Sequence, residues 1–223
     1  MPDGQYSFYL HSDDRTDIAA IATISTISQP LRGEFIRTAA TAGAVVYQVD
    51  ARLPALIPVF FAGQLSAVRL CAVMALVSGT WSSLTGLPDE PENGEAALPV
   101  SPETEYQRRR YTLTLQNGRS GERVESVLTE ASSRLRGDLL RNLIITGLAL
   151  HTTAPELPRL LASMPVPPTS VSELQALVQQ MAGTADVNRA AAAVPDTPAA
   201  SAAPVSGSDT REIKKNMRRA FGD

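Results

Sequence analysis

Two stretches of the chain repeat each other: Leu31-Arg32-Gly33-Glu34-Phe35-Ile36-Arg37 and Leu135-Arg136-Gly137-Asp138-Leu139-Leu140-Arg141. They lie 104 positions apart, and the same offset relates Gly43 to Gly147 and Leu53-Pro54 to Leu157-Pro158. Upstream, residues 6–10 match residues 111–115 at an offset of 105, so one single-residue insertion reconciles the two offsets. Because the matching elements follow each other in the same order, the sequence predicts an internal duplication.

Each copy begins with a predicted strand. In the second copy Tyr111, Leu113 and Leu115 alternate with polar residues, and this period of two is typical of a strand with one buried face. Asn117-Gly118 then predicts a turn. Because a lone strand has no partner within its own copy, the sequence predicts that the two strands pair as an antiparallel ribbon with the helices behind it.

Two helices are predicted after each strand. In the second copy the first helix is indicated by an apolar stripe and the candidate N-cap Ser120, and the second covers about residues 135–150. The two stripes are Val124, Val127, Leu128 and Ala131, and Leu139, Leu140, Leu143, Ile144 and Leu148. Gly147, and Gly43 in the first copy, would each cost roughly 1 kcal/mol against Ala in a helix. We therefore predict a close helix crossing that leaves no room for a Cβ.

Composition divides the chain further. Residues 88–105 carry six acidic and no basic side chains, whereas residues 106–185 carry nine basic and six acidic ones, so only the latter segment favours contact with a polyanion. The sequence predicts a mainly α protein with short β-strands. Its predicted parts are a first unit over 1–87, an acidic linker over 88–105, a second unit over 106–184, a disordered tether over 185–208 and a C-terminal helix over 209–223.

The order strand, helix, helix resembles the ribbon-helix-helix fold of DNA-binding proteins. The run Thr146-Gly147-Leu148-Ala149-Leu150 and the Pro155-Glu156-Leu157-Pro158 bend resemble more specifically the StbB/ParR family of plasmid partition adaptors. This resemblance implies two ribbon-helix-helix-like units, each followed by extra helices, that bind double-stranded DNA at centromere-like repeats and couple it to the filament of an actin-like, ParM-like ATPase. Two other functions stay open: a ribbon-helix-helix transcriptional autorepressor, and an interaction protein whose first copy is only a dimerisation scaffold.

The predicted ribbon supplies candidate base-reading residues, because a two-stranded ribbon fits the major groove of DNA. With the apolar residues turned to the core, the alternate residues are the candidates: Arg108, Arg110, Thr112 and Thr114 in the second copy, and Gln5, Ser7 and Tyr9 in the first. The first set is charged and the second is not, which predicts an asymmetric DNA site. The alternative is that Arg108-Arg109-Arg110 is only an exposed charge run.

The second helix of each copy offers a predicted phosphate anchor, since its N-terminal N–H groups and dipole favour an anion. The candidates are Ser133, Arg134 and Arg136 in the second copy and Arg32 in the first. The alternative is that Arg32 and Arg136 pair with Glu34 and Asp138 or are simply exposed.

The C-terminal stretch combines an apolar stripe with basic side chains. The stripe is Ile213, Met217 and Phe221, and the basic residues are Lys214, Lys215, Arg218 and Arg219. A short amphipathic helix on a tether is typical of partner docking, and the family resemblance implies that the partner is the actin-like filament. Non-specific DNA contact and an anionic membrane surface are the alternatives.

Several function classes find no support in the sequence. It has no nucleotide-binding or nucleophile motif, and His11 and His151 have no ligand set around them, so we expect no enzyme, no cofactor and no metal. Cys71 lies in an apolar run and predicts a buried thiol and a cytoplasmic location. The apolar run over 53–77 predicts a buried helix or a self-association surface rather than a membrane span.

Overall fold

The computed structural model describes residues 4–80 and 108–192, with side chains up to residue 183. The first copy comprises β1 (Gln5–His11), α1 (Arg15–Ser25), a 3-10 turn (Gln29–Leu31), α2 (Arg32–Val49), α3 (Leu53–Phe60) and α4 (Ala67–Ser78). The second comprises β2 (Arg108–Thr114), α5 (Arg119–Glu130), α6 (Arg136–Thr153), α7 (Leu157–Ser163) and α8 (Val171–Ala192). Both copies lie in one compact unit that ends at Asn188. The predicted mainly α fold with short strands is confirmed.

The duplication is visible in where the helices begin. Helices α1 to α4 start at residues 15, 32, 53 and 67, and α5 to α8 start at 119, 136, 157 and 171. Every start is shifted by 104 positions, the offset found in the sequence. We call two residues equivalent when they are related by 104 positions in the helices or by 105 in the strands.

The two strands form a two-stranded antiparallel ribbon, as predicted. Ser7 pairs with its own equivalent, Thr112, so a pseudo-two-fold axis passes through the middle of the ribbon. The inner face is apolar: Phe8 and Leu113 are buried, and the rings of Phe8 and Tyr111 stack with their centroids 5.2 Å apart. Burial of this face against the helices fixes the register, because a one-residue slip would turn it to solvent.

Helices α2 and α6 cross at the centre of the fold, and the crossing explains both interior glycines. A Cβ on Gly43 would overlap the backbone of Leu143, and a Cβ on Gly147 would overlap the backbone of Ala39. Ala39 and Leu143 are equivalent residues, so the two contacts are related by the pseudo-two-fold axis. The predicted close crossing is confirmed. It lets the backbones approach and buries Leu140, Ile144 and Leu148 with the residues around them.

The local details differ from the sequence predictions at two helix starts. Ser120 does not cap α5: the helix already begins at Arg119, after Gly118 at a φ of +133°, and the Ser120 hydroxyl donates to the Ala162 carbonyl. The predicted cap was wrong because the glycine turn lets the helix start two residues earlier. Helix α6 begins at Arg136 without a side-chain cap and continues to Thr153, beyond the expected end.

The ends of the predicted parts are only partly described. Helix α8 runs to Ala192, so the first residues of the predicted tether, 185–192, are helical, as their alanine-rich sequence favours. The acidic linker, most of the tether and the C-terminal segment lie outside the described residues, and those boundaries stay predictions. Within the described ranges, no helix has the length and apolarity to cross a bilayer.

Candidate nucleic-acid interface

The outer face of the ribbon carries all seven candidate base-reading residues. Three cross-strand pairs hold six of them: Gln5 with Thr114, Ser7 with Thr112, and Tyr9 with Arg110. Arg108 pairs with His11 at the end of the ribbon. None of the seven is buried, whereas Phe8, Leu10 and Leu113 between them are. The structure thus gathers the seven residues on one polar surface, and reading of bases stays a prediction.

The two arginines of this face lie along the ribbon rather than away from it. The Nε and Nη2 atoms of Arg110 donate to the Ser7 hydroxyl at 3.2 and 3.0 Å. The guanidinium carbon of Arg108 lies 3.6 Å from the centroid of the Tyr9 ring, a cation–π contact. Both arginines are nevertheless exposed. These contacts hold both guanidinium groups against the ribbon.

The charge of the outer face is confined to one end. The pseudo-two-fold axis relates Arg110 to Gln5 and Thr114 to Tyr9. Gln5 is uncharged, and the position equivalent to Arg108 lies outside the described residues. Sequence reasoning missed His11, which extends the arginine end. Continuing the alternation one step beyond Tyr9 would have found it.

The first turn of α6 lies against the middle of the ribbon. A Cβ on Gly137 would lie 3.4 Å from the carbonyl oxygen of Ser7. No side chain caps α6 or its equivalent α2, so the first N–H groups of α6 lack the side-chain acceptor that a cap would supply. Ser133 and Arg134 are exposed in the turn just before α6. The start of α6 thus lies next to the candidate base-reading face, and the phosphate anchor stays a prediction.

Arg32 and Arg136 have a structural contact that sequence reasoning did not anticipate. The Nε of Arg32 donates to the Ile27 carbonyl at 2.8 Å, and the Nε of Arg136 donates to the equivalent Ala131 carbonyl at 3.2 Å. Both side chains are half-buried. Glu34, the expected partner of Arg32, instead forms its ion pair with Arg37 at 2.7 Å. Each arginine therefore holds the turn before its helix, and a phosphate contact would use its other N–H groups.

A buried ion pair between the copies fixes the end of the ribbon. The Asp17 carboxylate is fully buried and accepts from Arg141 Nε at 2.7 Å, while its second oxygen accepts from the His11 backbone N–H at 2.8 Å. Burial raises the pKa of Asp17, and the hydrogen bonds from Arg141 and His11 oppose that shift. Asp17 ties β1 to α6 and so positions the arginine end of the ribbon. An acidic residue inside the apolar pattern of α1 was the available signal.

The remaining candidates divide between described and undescribed residues. The docking residues Ile213 to Phe221 lie outside the described ranges. Cys71 is buried, as predicted, and this burial raises the pKa of the thiol. Among residues 4–80 and 108–183, no three His, Cys, Asp or Glu side chains are grouped so that they could hold a metal ion.

Comparison with known proteins identifies the family. Searches of curated proteins and of solved structures find no match. A family model described as plasmid stability protein matches residues 4–74 and 109–178, which together make up more than half of the chain. The two matched regions coincide with the two structural copies, from strand to last helix. The chain therefore belongs to the plasmid stability protein family, whose unit it contains twice.

Proposed function

We propose that this protein is a DNA-binding adaptor for plasmid partition. The observation that carries the proposal is the outer face of the ribbon, where seven polar side chains from both copies form one exposed surface beside the N-terminus of α6. Membership of the plasmid stability family supports a role in plasmid maintenance. The resemblance to ribbon-helix-helix proteins supports DNA as the ligand.

The ribbon would read DNA by lying in the major groove. Arg110 and Arg108 offer paired N–H donors of the kind that recognise guanine, and the threonines offer a hydroxyl and a methyl group. Because these arginines belong to one copy, the two halves of the ribbon would read different base pairs. A single chain would thus bind an asymmetric site, whereas identical protomers favour a palindrome.

Phosphate contacts would set the position of the ribbon in the groove. The uncapped first turn of α6, with Ser133 and Arg134 in front of it, lies beside the centre of the ribbon. Backbone N–H groups and arginines at such a position bind phosphate without reading sequence. Arg136 and Arg32 would contribute through the N–H groups that do not hold their own turns.

Coupling to a motor would use the C-terminal segment. The apolar stripe Ile213, Met217 and Phe221 and the four basic residues around it suit an amphipathic helix that folds on a protein surface. The resemblance to the StbB/ParR family supports an actin-like ATPase filament as that surface. A plain autorepressor has no use for this segment, so deleting residues 209–223 distinguishes the two functions: an adaptor keeps DNA binding and loses co-sedimentation with the filament.

Base reading is tested by removing equal charges from opposite faces of β2. Arg110→Ala removes a charge from the outer face, and the matched control Arg109→Ala removes one from the adjacent exposed arginine, which pairs with Leu10 on the other face. Fluorescence anisotropy at fixed salt would use a duplex that the full chain selects from a random library and a scrambled duplex of the same length.

We expect Arg110→Ala to weaken the selected duplex about 10-fold more than the scrambled one, since one bidentate base contact is worth about 1–3 kcal/mol. Arg109→Ala should weaken both duplexes equally, because it removes only a general attraction. Equal losses in both variants would overturn base reading by the outer face. Failure of the full chain to bind any duplex at low salt would overturn DNA binding itself.

A further inference from the structure

Five of the eight exposed large apolar side chains in the described residues lie on one pair of helices in the first copy. They are Leu56 (38% exposed), Val59 (73%) and Phe60 (48%) on α3, and Val68 (41%) and Leu76 (54%) on α4. We call these five residues the α3–α4 face. Single exposed apolar residues need no explanation, but a group on adjoining helices marks a contact surface.

The two helices present this face because they form an antiparallel hairpin. The Nη2 of Arg52, just before α3, donates to the carbonyl of Val77, near the end of α4, at 2.8 Å. The inner sides of the hairpin, Ile57 on α3 and Met74 on α4, are fully buried in the core. Val68 and Leu76 are eight positions apart and so lie along one side of α4, opposite that core. The hairpin is therefore apolar on both of its sides.

The second copy shows that the fold does not require the α3–α4 face. The residues equivalent to Val59, Val68 and Leu76 are Ser163, Ser172 and Gln180, and all three are exposed. The same helix pair thus forms in the second copy with a polar outer side. The counterparts of Leu56 and Phe60 are Leu160 and Met164, which stay apolar and are half-buried. The fold therefore does not require apolar residues at Val59, Val68 and Leu76, so these three have a role other than folding.

We propose that the α3–α4 face binds the same face of a second copy of this chain, forming a two-fold symmetric dimer. Helices α3 and α4 carry one charged side chain between them, Arg69, so their surface suits a partner that is itself apolar. The basic C-terminal segment is a poorer occupant, because α3 and α4 carry no acidic side chain that could pair with its lysines and arginines. Two antiparallel hairpins packed face to face give a four-helix layer, a common way for helices to bury such surfaces.

The size of the face predicts a weak dimer. The five side chains expose on the order of 400 Å² of apolar surface, about half of what one partner buries in a standard interface. Because interfaces of about twice this size range from micromolar to picomolar affinity, we expect a dimer in the weak part of that range or beyond it, with a dissociation constant on the order of 10 µM. The dimer would carry two ribbons, which DNA sites in tandem could bring together. The proposal stands independently of the DNA-binding function, since it rests on a different surface.

The test uses the residues that the second copy supplies. Val59→Ser, Val68→Ser and Leu76→Gln are combined in the full chain, and the matched control is Val166→Ser, which changes a valine that is 73% exposed elsewhere. Sedimentation equilibrium without DNA measures the mass of the wild-type protein and of both variants over concentrations from well below to well above about 10 µM. Circular dichroism checks that the triple variant remains folded.

We expect the wild-type protein and the Val166→Ser control to change from monomer to dimer with rising concentration. The triple variant should remain a monomer, with a dissociation constant raised at least about 30-fold, since three apolar contacts are lost on each side of the interface. A wild-type protein that stays monomeric at every concentration would overturn the proposal. That is the result expected if residues 81–107 or another protein occupied the face. A triple variant that dimerises like the wild-type protein would overturn it as well.

Discussion

The two copies of the unit share their helix positions but differ in what they expose. The second copy has arginines on its strand and polar side chains on the outer side of α7 and α8, whereas the first has an uncharged strand and the apolar α3–α4 face. What they have in common is what the pairing requires: the ribbon register, the two interior glycines and the helix starts. The difference teaches that duplication within one chain lets each surface change while the paired core stays fixed.

The buried ion pair marks where the core itself became asymmetric. Asp17 and Arg141 join the copies, but their equivalents are Gly121 and Arg37, and Arg37 pairs with Glu34 in its own helix. The backbone of Gln116 lies so close to Gly121 that a Cβ there would overlap it. The Asp17 contact therefore exists once per chain. Two second copies paired with each other would lack it, because the contact needs an Asp17 from a first copy.

The largest expected effect comes from breaking this once-only contact. Asp17→Ala leaves Arg141 half-buried beside Asp14 without its main partner, and we expect a loss of about 3–5 kcal/mol in the free energy of unfolding, as is usual when a buried pair loses one member. Urea denaturation followed by circular dichroism measures it. The matched control is Glu34→Ala, which breaks the exposed pair that Arg37, the equivalent of Arg141, forms within α2, and it should cost less than about 1 kcal/mol. Equal losses would show that the two pairs contribute alike.

The next effect tests what the copies have kept in common. Gly43→Ala and Gly147→Ala each place a methyl group against the backbone of the opposing helix, so one helix must shift. We expect each to cost about 1–3 kcal/mol, the usual range for overpacking, in the same urea titration. Gly33→Ala is the control, because a Cβ there meets only the end of the Arg37 side chain at 3.7 Å. A clear difference between the losses for Gly43→Ala and Gly147→Ala would mean that the two sides of the crossing contribute unequally to stability, although their geometry is symmetric.

The sequence was sufficient for the symmetric features and insufficient for the asymmetric ones. The offsets of 104 and 105, the alternation of the strands and the placement of Gly43 and Gly147 predicted the ribbon, the helix pairs and the close crossing. The cap of α5 could not be predicted, since a glycine turn and a serine compete for the same start. The Asp17–Arg141 pair depends on a tertiary distance that no local pattern carries. The turn contacts of Arg32 and Arg136 occur in both copies and were missed as well, because a side chain that binds a nearby carbonyl leaves no signal in the apolar pattern. The repeat thus predicts the backbone that both copies share, and the structure is needed for the contacts of single side chains.

A smaller effect would restore symmetry to the outer face. Gln5→Arg places an arginine at the position equivalent to Arg110. If the ribbon binds DNA, this variant should bind a palindrome of the arginine half-site about 5–10-fold more tightly than the wild-type protein does, since one more base contact forms. The slope of log affinity against log salt should become steeper by about 1. Anisotropy titrations at several salt concentrations measure both.

The matched control for this variant is Asn117→Arg, which adds the same charge in the exposed turn after the ribbon. It should steepen the salt dependence without favouring the palindrome over the asymmetric site. If both variants gained equally on every duplex, the gain would be purely electrostatic and the outer face would carry no sequence information.

The smallest effect concerns a Gly-Thr dipeptide that the copies share but use differently. Gly79 ends α4 at a φ of +70°, and the N–H of Thr80 then donates to the Ala75 carbonyl, whereas the equivalent Gly183 lies inside α8, which continues to Ala192. The residues that follow explain the difference: Trp81-Ser82-Ser83 is poor in helix formers, and Ala185-Asp186-Val187 continues the helical pattern.

Gly79→Ala should therefore destabilise the protein by about 1 kcal/mol, because alanine is strained at positive φ. Gly183→Ala should stabilise it by about 0.5–1 kcal/mol, because alanine favours a helix interior and a Cβ there meets no atom within 4 Å. Opposite shifts of the urea midpoint would confirm that the Gly-Thr dipeptide ends α4 but lies within α8. Shifts of the same sign would mean that Gly79 and Gly183 have the same backbone conformation.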